Sequence, residues 1–146
     1  MSFIFGGIKI YQEQIFYKTK FSVFFVNIKP FKKYHVLGSP VSDCVKISDL
    51  SDDDFQQFML DVNYISKVFE YHLKKPMTMG IQNGPEAGQT VSHVHVHIMP
   101  ADNNDKQIED HNRKPQTNTE MTEEAEYCKQ LIKYYNTNNL NSNTNY

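Results

Sequence analysis

A chain of 146 residues, 39% hydrophobic and 13% aromatic, can build one domain with its own core, which excludes wholesale disorder. Its formal charge of −2 and the lack of a Lys/Arg block argue against duplex nucleic acid as a partner. No apolar run reaches the roughly 18 residues that a membrane-spanning helix needs.

Met1 to Lys20 lacks a charged leader followed by an apolar run and a cleavage site, and reads as mature sequence. Gln14 to Lys18 and Phe21 to Asn27 are rich in Phe, Ile and Val and predict a hairpin turning at Thr19-Lys20. On the second strand Phe21, Val23 and Phe25 share one face, and Ser22, Phe24 and Val26 the other. Both faces are largely apolar, so the strand is expected to be central and covered on both sides. Lys29-Pro30 ends it, because proline cannot donate to a ladder. Tyr34 to Leu37 reads as a third strand closed by Gly38-Ser39-Pro40.

The period then changes. Phe55, Phe58, Met59, Val62, Ile65 and Phe69 recur three and four apart, which is one face of a helix. Ser51 is its expected N-cap, with Asp52, Asp53 and Asp54 at the positive end of the dipole. The helix should run to about Leu73 and stop before Pro76. Its apolar stripe reads as core and not as a cofactor site. Strands are predicted at Met77 to Gln82 and Val91 to Met99, joined by the loop Asn83 to Thr90. Ala101 to Thr119 is polar and aperiodic and reads as a loop. Met121, Ala125, Cys128, Ile132 and Tyr135 suggest a short helix.

The predicted architecture is therefore α+β, an antiparallel sheet with one long helix and a short C-terminal helix. The domain is expected over residues 1–135, with 136–146 as a disordered Asn-rich tail. Cys44 and Cys128 have no metal-type spacing and read as reduced thiols in the cytoplasm, with the nucleus as a second compartment.

His93, His95 and His97 alternate with Val94, Val96 and Ile98. In a strand they share one face, roughly 6.6–7 Å apart. Three readings compete: an exposed histidine-rich strand without chemistry, a metal site, and nucleophilic catalysis. Two strand histidines could share Zn²⁺, but no paired Cys, second His-x-His or HExxH motif supplies the remaining ligands, and His35, His72 and His111 are isolated. A neutral imidazole can instead attack phosphorus and carry the group briefly, splitting one displacement into two. The loop Asn83-Gly84-Pro85-Glu86-Ala87-Gly88-Gln89-Thr90 favours this third reading. Its small residues let backbone N–H groups approach an anion, and Gln89 and Thr90 add neutral donors.

His93-Val94-His95-Val96-His97-Ile98-Met99 resembles the His-φ-His-φ-His-φ-φ motif of the histidine triad superfamily, where φ is apolar. Within it, Gln82-Asn83-Gly84-Pro85-Glu86-Ala87-Gly88-Gln89-Thr90-Val91 most resembles the fragile histidine triad branch, helped by Met1-Ser2-Phe3, Val26-Asn27 with Lys29-Pro30, and His35-Val36-Leu37. The resemblance covers Met1 to about Pro100. It implies cleavage of diadenosine triphosphate to AMP and ADP through an adenylyl-histidine, with Mg²⁺ or Mn²⁺ carried on the substrate phosphates and no protein-bound metal. It also implies a homodimer formed by joining two sheets.

By position, the resemblance makes His95 the nucleophile, His97 the contact to the scissile phosphate and leaving group, and His93 the residue that orients His95. Asn27 matches a ribose contact, Gln82 a contact to the leaving nucleotide or phosphate, and Gly88, Gln89, Thr90 and Val91 the phosphate loop. His35 matches a histidine behind the site. Ile8 stands where the branch has a substrate-contacting histidine. The segment after Pro100 lacks Trp, and the tyrosine of that loop is replaced near Ile108. Two alternatives remain: a nucleotide sensor with slow turnover, and an adenosine phosphoramidate hydrolase of the AMP-lysine type.

Overall fold

The computed structural model describes residues 2–103, 105 and 113–140. Its main sheet has five antiparallel strands, β3 (Ile15–Lys18), β4 (Ser22–Val26), β5 (Val36–Pro40), β6 (Met77–Ile81) and β7 (Val96–Pro100), in the spatial order β3-β4-β5-β7-β6. Two helices, α1 (Asp52–Leu73) and α2 (Asn118–Leu140), complete the α+β architecture expected from the sequence. A separate hairpin of β1 (Phe3–Phe5) and β2 (Ile8–Ile10) precedes the sheet. The sequence reading did not assign it. The signal for it is Gly6-Gly7 between apolar triplets, and both glycines have positive φ.

β4 is central and wholly buried, as its double apolar face predicts. Phe24 and Val26 join Val36, Val96 and Ile98 under Phe58, Val62, Ile65 and Phe69 of α1. Val23 and Phe25 join Leu37 beneath Phe3, Phe5 and Ile10 of the hairpin. The sheet therefore has a helix face and a hairpin face, and the histidines lie on the second. α1 matches its predicted limits: Ser51 Oγ accepts the Asp54 N–H at 3.2 Å, and Lys74 closes the helix in the left-handed region. Its stripe is core, apart from an exposed Phe55.

Several boundaries differ from expectation. β5 starts at Val36, not at Tyr34, which has a positive φ of 67. Gly38, Ser39 and Pro40 do not close β5 but continue it, paired with Phe24, Val23 and Ser22. β7 starts at Val96, not Val91. Before it, the Val94 N–H bonds to the Cys44 carbonyl at 2.7 Å and the His93 N–H to Val91, so this stretch is tied to the loop after β5 instead of to a sheet neighbour. α2 has 23 residues and is not short. Asn136–Leu140, expected in the tail, form its last turn. Asn138 and Asn139 donate side-chain N–H groups to the carbonyls of Tyr134 and Tyr135, and the Tyr64 hydroxyl on α1 donates to Asn136. Residues 141–146 of the expected tail, and 106–112 of the expected loop with Ile108 and His111, lie outside the described residues. Among the described residues no helix is long and apolar enough to cross a membrane.

Candidate active site

The alternation around β7 sends Val96 and Ile98 into the helix-side core and His97 to the opposite face, where it pairs with Leu37 on β5 and Gly80 on β6. His95 lies beside it, with ring centroids 5.0 Å apart. The Phe5 and His95 rings meet in a T-shaped contact with centroids 4.9 Å apart, and the buried His93 ring sits against Phe3 and Phe5. The hairpin thus forms one wall of the histidine row, although only His97 belongs to the strand.

Hydrogen bonds fix which ring nitrogens carry protons. His95 Nδ1 lies 2.8 Å from the His93 carbonyl oxygen. A carbonyl only accepts, so Nδ1 holds the proton and Nε2 is the bare nitrogen of the neutral ring. His93 Nε2 likewise donates to the Pro40 carbonyl at 2.9 Å. A second chain starts at the backbone. The Phe31 N–H donates to His35 Nδ1 at 2.9 Å, so the His35 proton sits on Nε2. That proton is donated to His97 Nδ1 at 3.0 Å, which leaves the His97 proton on Nε2. His97 Nε2 is buried and has no hydrogen-bond partner among the described residues. Asn27 Nδ2, 3.4 Å from His35 Nε2, is a donor facing a donor. The Asn27 amide is oriented by the Lys29 N–H, which donates to Oδ1 at 2.9 Å.

Burial favours the uncharged form of His35, His95 and His97. It holds His35 down at about 3, helped by His97, Arg113 and His95, and His97 at about 4, helped by His95 and Arg113. His95 is also pushed below its usual value, mainly by burial and slightly by His93, against the bond to the His93 carbonyl. The site thus pairs a bare nitrogen on His95 with an N–H donor on His97.

Two cavities meet here. The first, about 460 Å³, is walled by Phe5, Ile8, Phe25 and Leu37 and includes Asn27, Thr90, Val91, His95 and His97. The second, about 380 Å³, includes His35, Gln82, Gly88, Thr90 and His97. Gly88 has φ +92, and a Cβ there would lie 2.6 Å from Gln82 Nε2, so the missing side chain makes room for Gln82. Gln89 lines neither cavity. Its side chain donates to the Val45 carbonyl at 2.7 Å and its N–H to the Gly84 carbonyl, so it braces the loop. The N–H groups of Ala87 and Gly88 also close the turn on itself. The sequence reading named neither Phe5 nor Arg113. Phe5 lies in the unassigned hairpin, and Arg113 in an aperiodic segment where no spacing marks it. Among the described residues no three His, Cys, Asp or Glu side chains are placed to hold a metal ion.

A sheet that carries helices on one face and a row of hydrogen-bonded histidines on the other is the framework of a histidine triad protein. The chain belongs to the HIT domain family, which it matches over residues 9–104. It is 37% identical over 137 residues to the bis(5'-adenosyl)-triphosphatase of Dictyostelium discoideum, covering 88% of this chain and 91% of that one. It is 39% identical over 100 residues to the bifunctional bis(5'-adenosyl)-triphosphatase/adenylylsulfatase of Arabidopsis thaliana, covering 68% of this chain and 56% of the Arabidopsis protein. The crystal structure of Plasmodium falciparum diadenosine triphosphate hydrolase in complex with cyclomarin A superposes with a TM-score of 0.81 at 30% identity, over 91% of this chain and 85% of that one.

Proposed function

We propose that this protein is a dinucleoside triphosphate hydrolase that cleaves diadenosine triphosphate to AMP and ADP through an adenylyl group carried on His95. The observation that carries the reading is the His95 Nδ1–H bond to the His93 carbonyl, which leaves a nucleophilic nitrogen beside the His97 N–H donor. Relatives named for this activity support it.

His95 lines the first cavity alone, whereas His97 lines both. The adenylyl half therefore occupies the apolar first cavity, with Asn27 beside its ribose, and the departing diphosphate crosses toward Gln82 in the second. His95 Nε2 attacks the α-phosphorus. The N–P bond forms, the P–O bond to ADP breaks, and the positive charge on the ring is stabilised by the Nδ1–H bond to the His93 carbonyl. His97 Nε2–H donates a hydrogen bond to the phosphate and the departing oxygen. Water then attacks the same phosphorus, the P–N bond breaks, AMP leaves, and the proton lost by water passes to solvent. Mg²⁺ or Mn²⁺ enters on the substrate phosphates.

His97 stays neutral to about pH 4, so it is a hydrogen-bond donor and a weak proton source. A diphosphate leaving group needs no more than that. An amine must leave protonated, which ranks phosphoramidates lower. We also propose a homodimer that extends the sheet at β6. That strand pairs with β7 on one side only, and its exposed Met79 lies on the open edge. Light scattering tests the dimer. Incubation with diadenosine triphosphate, an adenylylated lysine and nucleotides of other chain lengths, with product identification, tests the activity. Rapid release of AMP and ADP from the triphosphate supports the reading; tight binding without turnover would mark a sensor instead.

A further inference from the structure

Three residues line both cavities: Thr90, His97 and Arg113. A phosphate bridge running from one cavity to the other must pass them. Each bridging phosphate carries a negative charge, whereas Thr90 is uncharged and burial keeps His97 neutral. Lys9 and Lys29 line the first cavity only. Among the described residues lining the second cavity, Arg113 is the one Lys or Arg. Its charge already reaches the site, where it helps hold His35 and His97 in the neutral form.

The fold holds this arginine in place. The segment 27–32 grips the chain on both sides of the region after β7. Lys32 Nζ donates to the Pro100 carbonyl at 2.9 Å and to the carboxylates of Asp102 and Asp105. Farther on, the Gln116 N–H donates to the Ile28 carbonyl at 2.6 Å and Gln116 Nε2 to the Asn27 carbonyl at 2.8 Å. Arg113 Nη1 reaches the Lys29 carbonyl at 3.3 Å. The segment that contributes Asn27 to the first cavity and leads into His35 in the second thus anchors Arg113 between them.

We propose that Arg113 binds the phosphates of the departing nucleoside diphosphate, at the crossing from the first cavity to the second. The proposal rests on the dinucleoside triphosphate reading above. A planar guanidinium presents paired N–H groups that match two phosphate oxygens, which an ammonium cannot do. No motif in the sequence marks the residue, because its position comes from the two anchors and not from local spacing.

The test compares wild type with Arg113→Gln and Arg113→Lys on two substrates: diadenosine triphosphate and the p-nitrophenyl ester of AMP, whose leaving group carries no phosphate. Arg113→Gln should lose about 10- to 100-fold in kcat/KM on the triphosphate, a loss at least tenfold greater than on the ester. Arg113→Lys should recover part of it. Equal losses on the two substrates, or none on the triphosphate, would overturn the assignment. If wild type released no AMP from diadenosine triphosphate, the substrate reading itself would fall. The role of Arg113 would then be read from binding of ADP and AMP. The affinity advantage of ADP over AMP should shrink at least tenfold in Arg113→Gln, and an unchanged advantage would overturn the proposal.

Discussion

The side chain of His95 is oriented by the backbone of His93: its Nδ1 proton goes to the His93 carbonyl oxygen, 2.8 Å away. The His93 ring fixes that carbonyl from the other direction, by donating to Pro40 at the end of β5 while packed against Phe3 and Phe5. The order of histidines along the chain is thereby converted into a division of labour. The first holds a peptide in place, the second presents a bare nitrogen, and the third presents a proton.

His95→Asn removes the proposed nucleophile and keeps a polar side chain of smaller volume. Turnover of diadenosine triphosphate should fall at least about a thousandfold. Circular dichroism and the elution volume should match wild type, which separates loss of chemistry from loss of fold.

The acid limb of the pH–rate profile should lie lower than an ordinary histidine would place it. The proposed attack requires neutral His95, and burial lowers its affinity for a proton. The half-maximum of kcat/KM on the acid side is expected below pH 6.5. Stability follows the same sign. Above pH 6.5 the folded and unfolded chains both hold neutral His35 and His97. As the pH falls from 6.5 toward 4, the unfolded chain takes up protons that the folded chain rejects, so stability present above 6.5 is lost. For His97 alone the loss is on the order of 3 kcal/mol, measured as a falling urea midpoint.

The relay from Phe31 through His35 to His97 can be read directly. Histidine ¹⁵N shifts should show protonated Nε2 and unprotonated Nδ1 on both His35 and His97. His35→Phe removes the donor to His97 and releases its tautomer. It should lower kcat about 10- to 100-fold with a smaller change in KM. A variant that changed KM alone would place His35 in binding instead.

Gly38 faces the Phe24 ring so closely that an added Cβ would lie 2.5 Å from Cε1 and 2.8 Å from Cδ1. The ring is fully buried and cannot withdraw. Gly38→Ala should destabilise the protein by about 1–3 kcal/mol, seen as a lower thermal midpoint.

Where the residues that start and stop an element are adjacent to it, the sequence was enough. Ser51 and the three aspartates opened α1, Pro76 bounded it, and the observed helix agrees. The central place of β4 followed from apolar residues on both its faces. Boundaries set by distant partners were not readable. The Val-His alternation continues upstream of Val96, but the Val94 N–H is claimed by Cys44, a residue far away in the chain. The last turn of α2 is polar and depends on Asn side chains bonding back and on Tyr64 of α1. The histidine row was evident from its spacing, yet the tautomer of His97 depends on Phe31 and His35, and the place of Arg113 depends on Lys29 and Gln116. Gln89 shows the converse: it stands within the loop motif, but its side chain turns to Val45.

The most direct test is to quench wild-type protein during turnover of diadenosine triphosphate and map the adduct by mass spectrometry under conditions that preserve N–P bonds. The account predicts an adenylyl group of one AMP mass on His95, formed before AMP appears and absent from His95→Asn. Adduct on any other side chain, or full turnover with AMP released by His95→Asn, would contradict it.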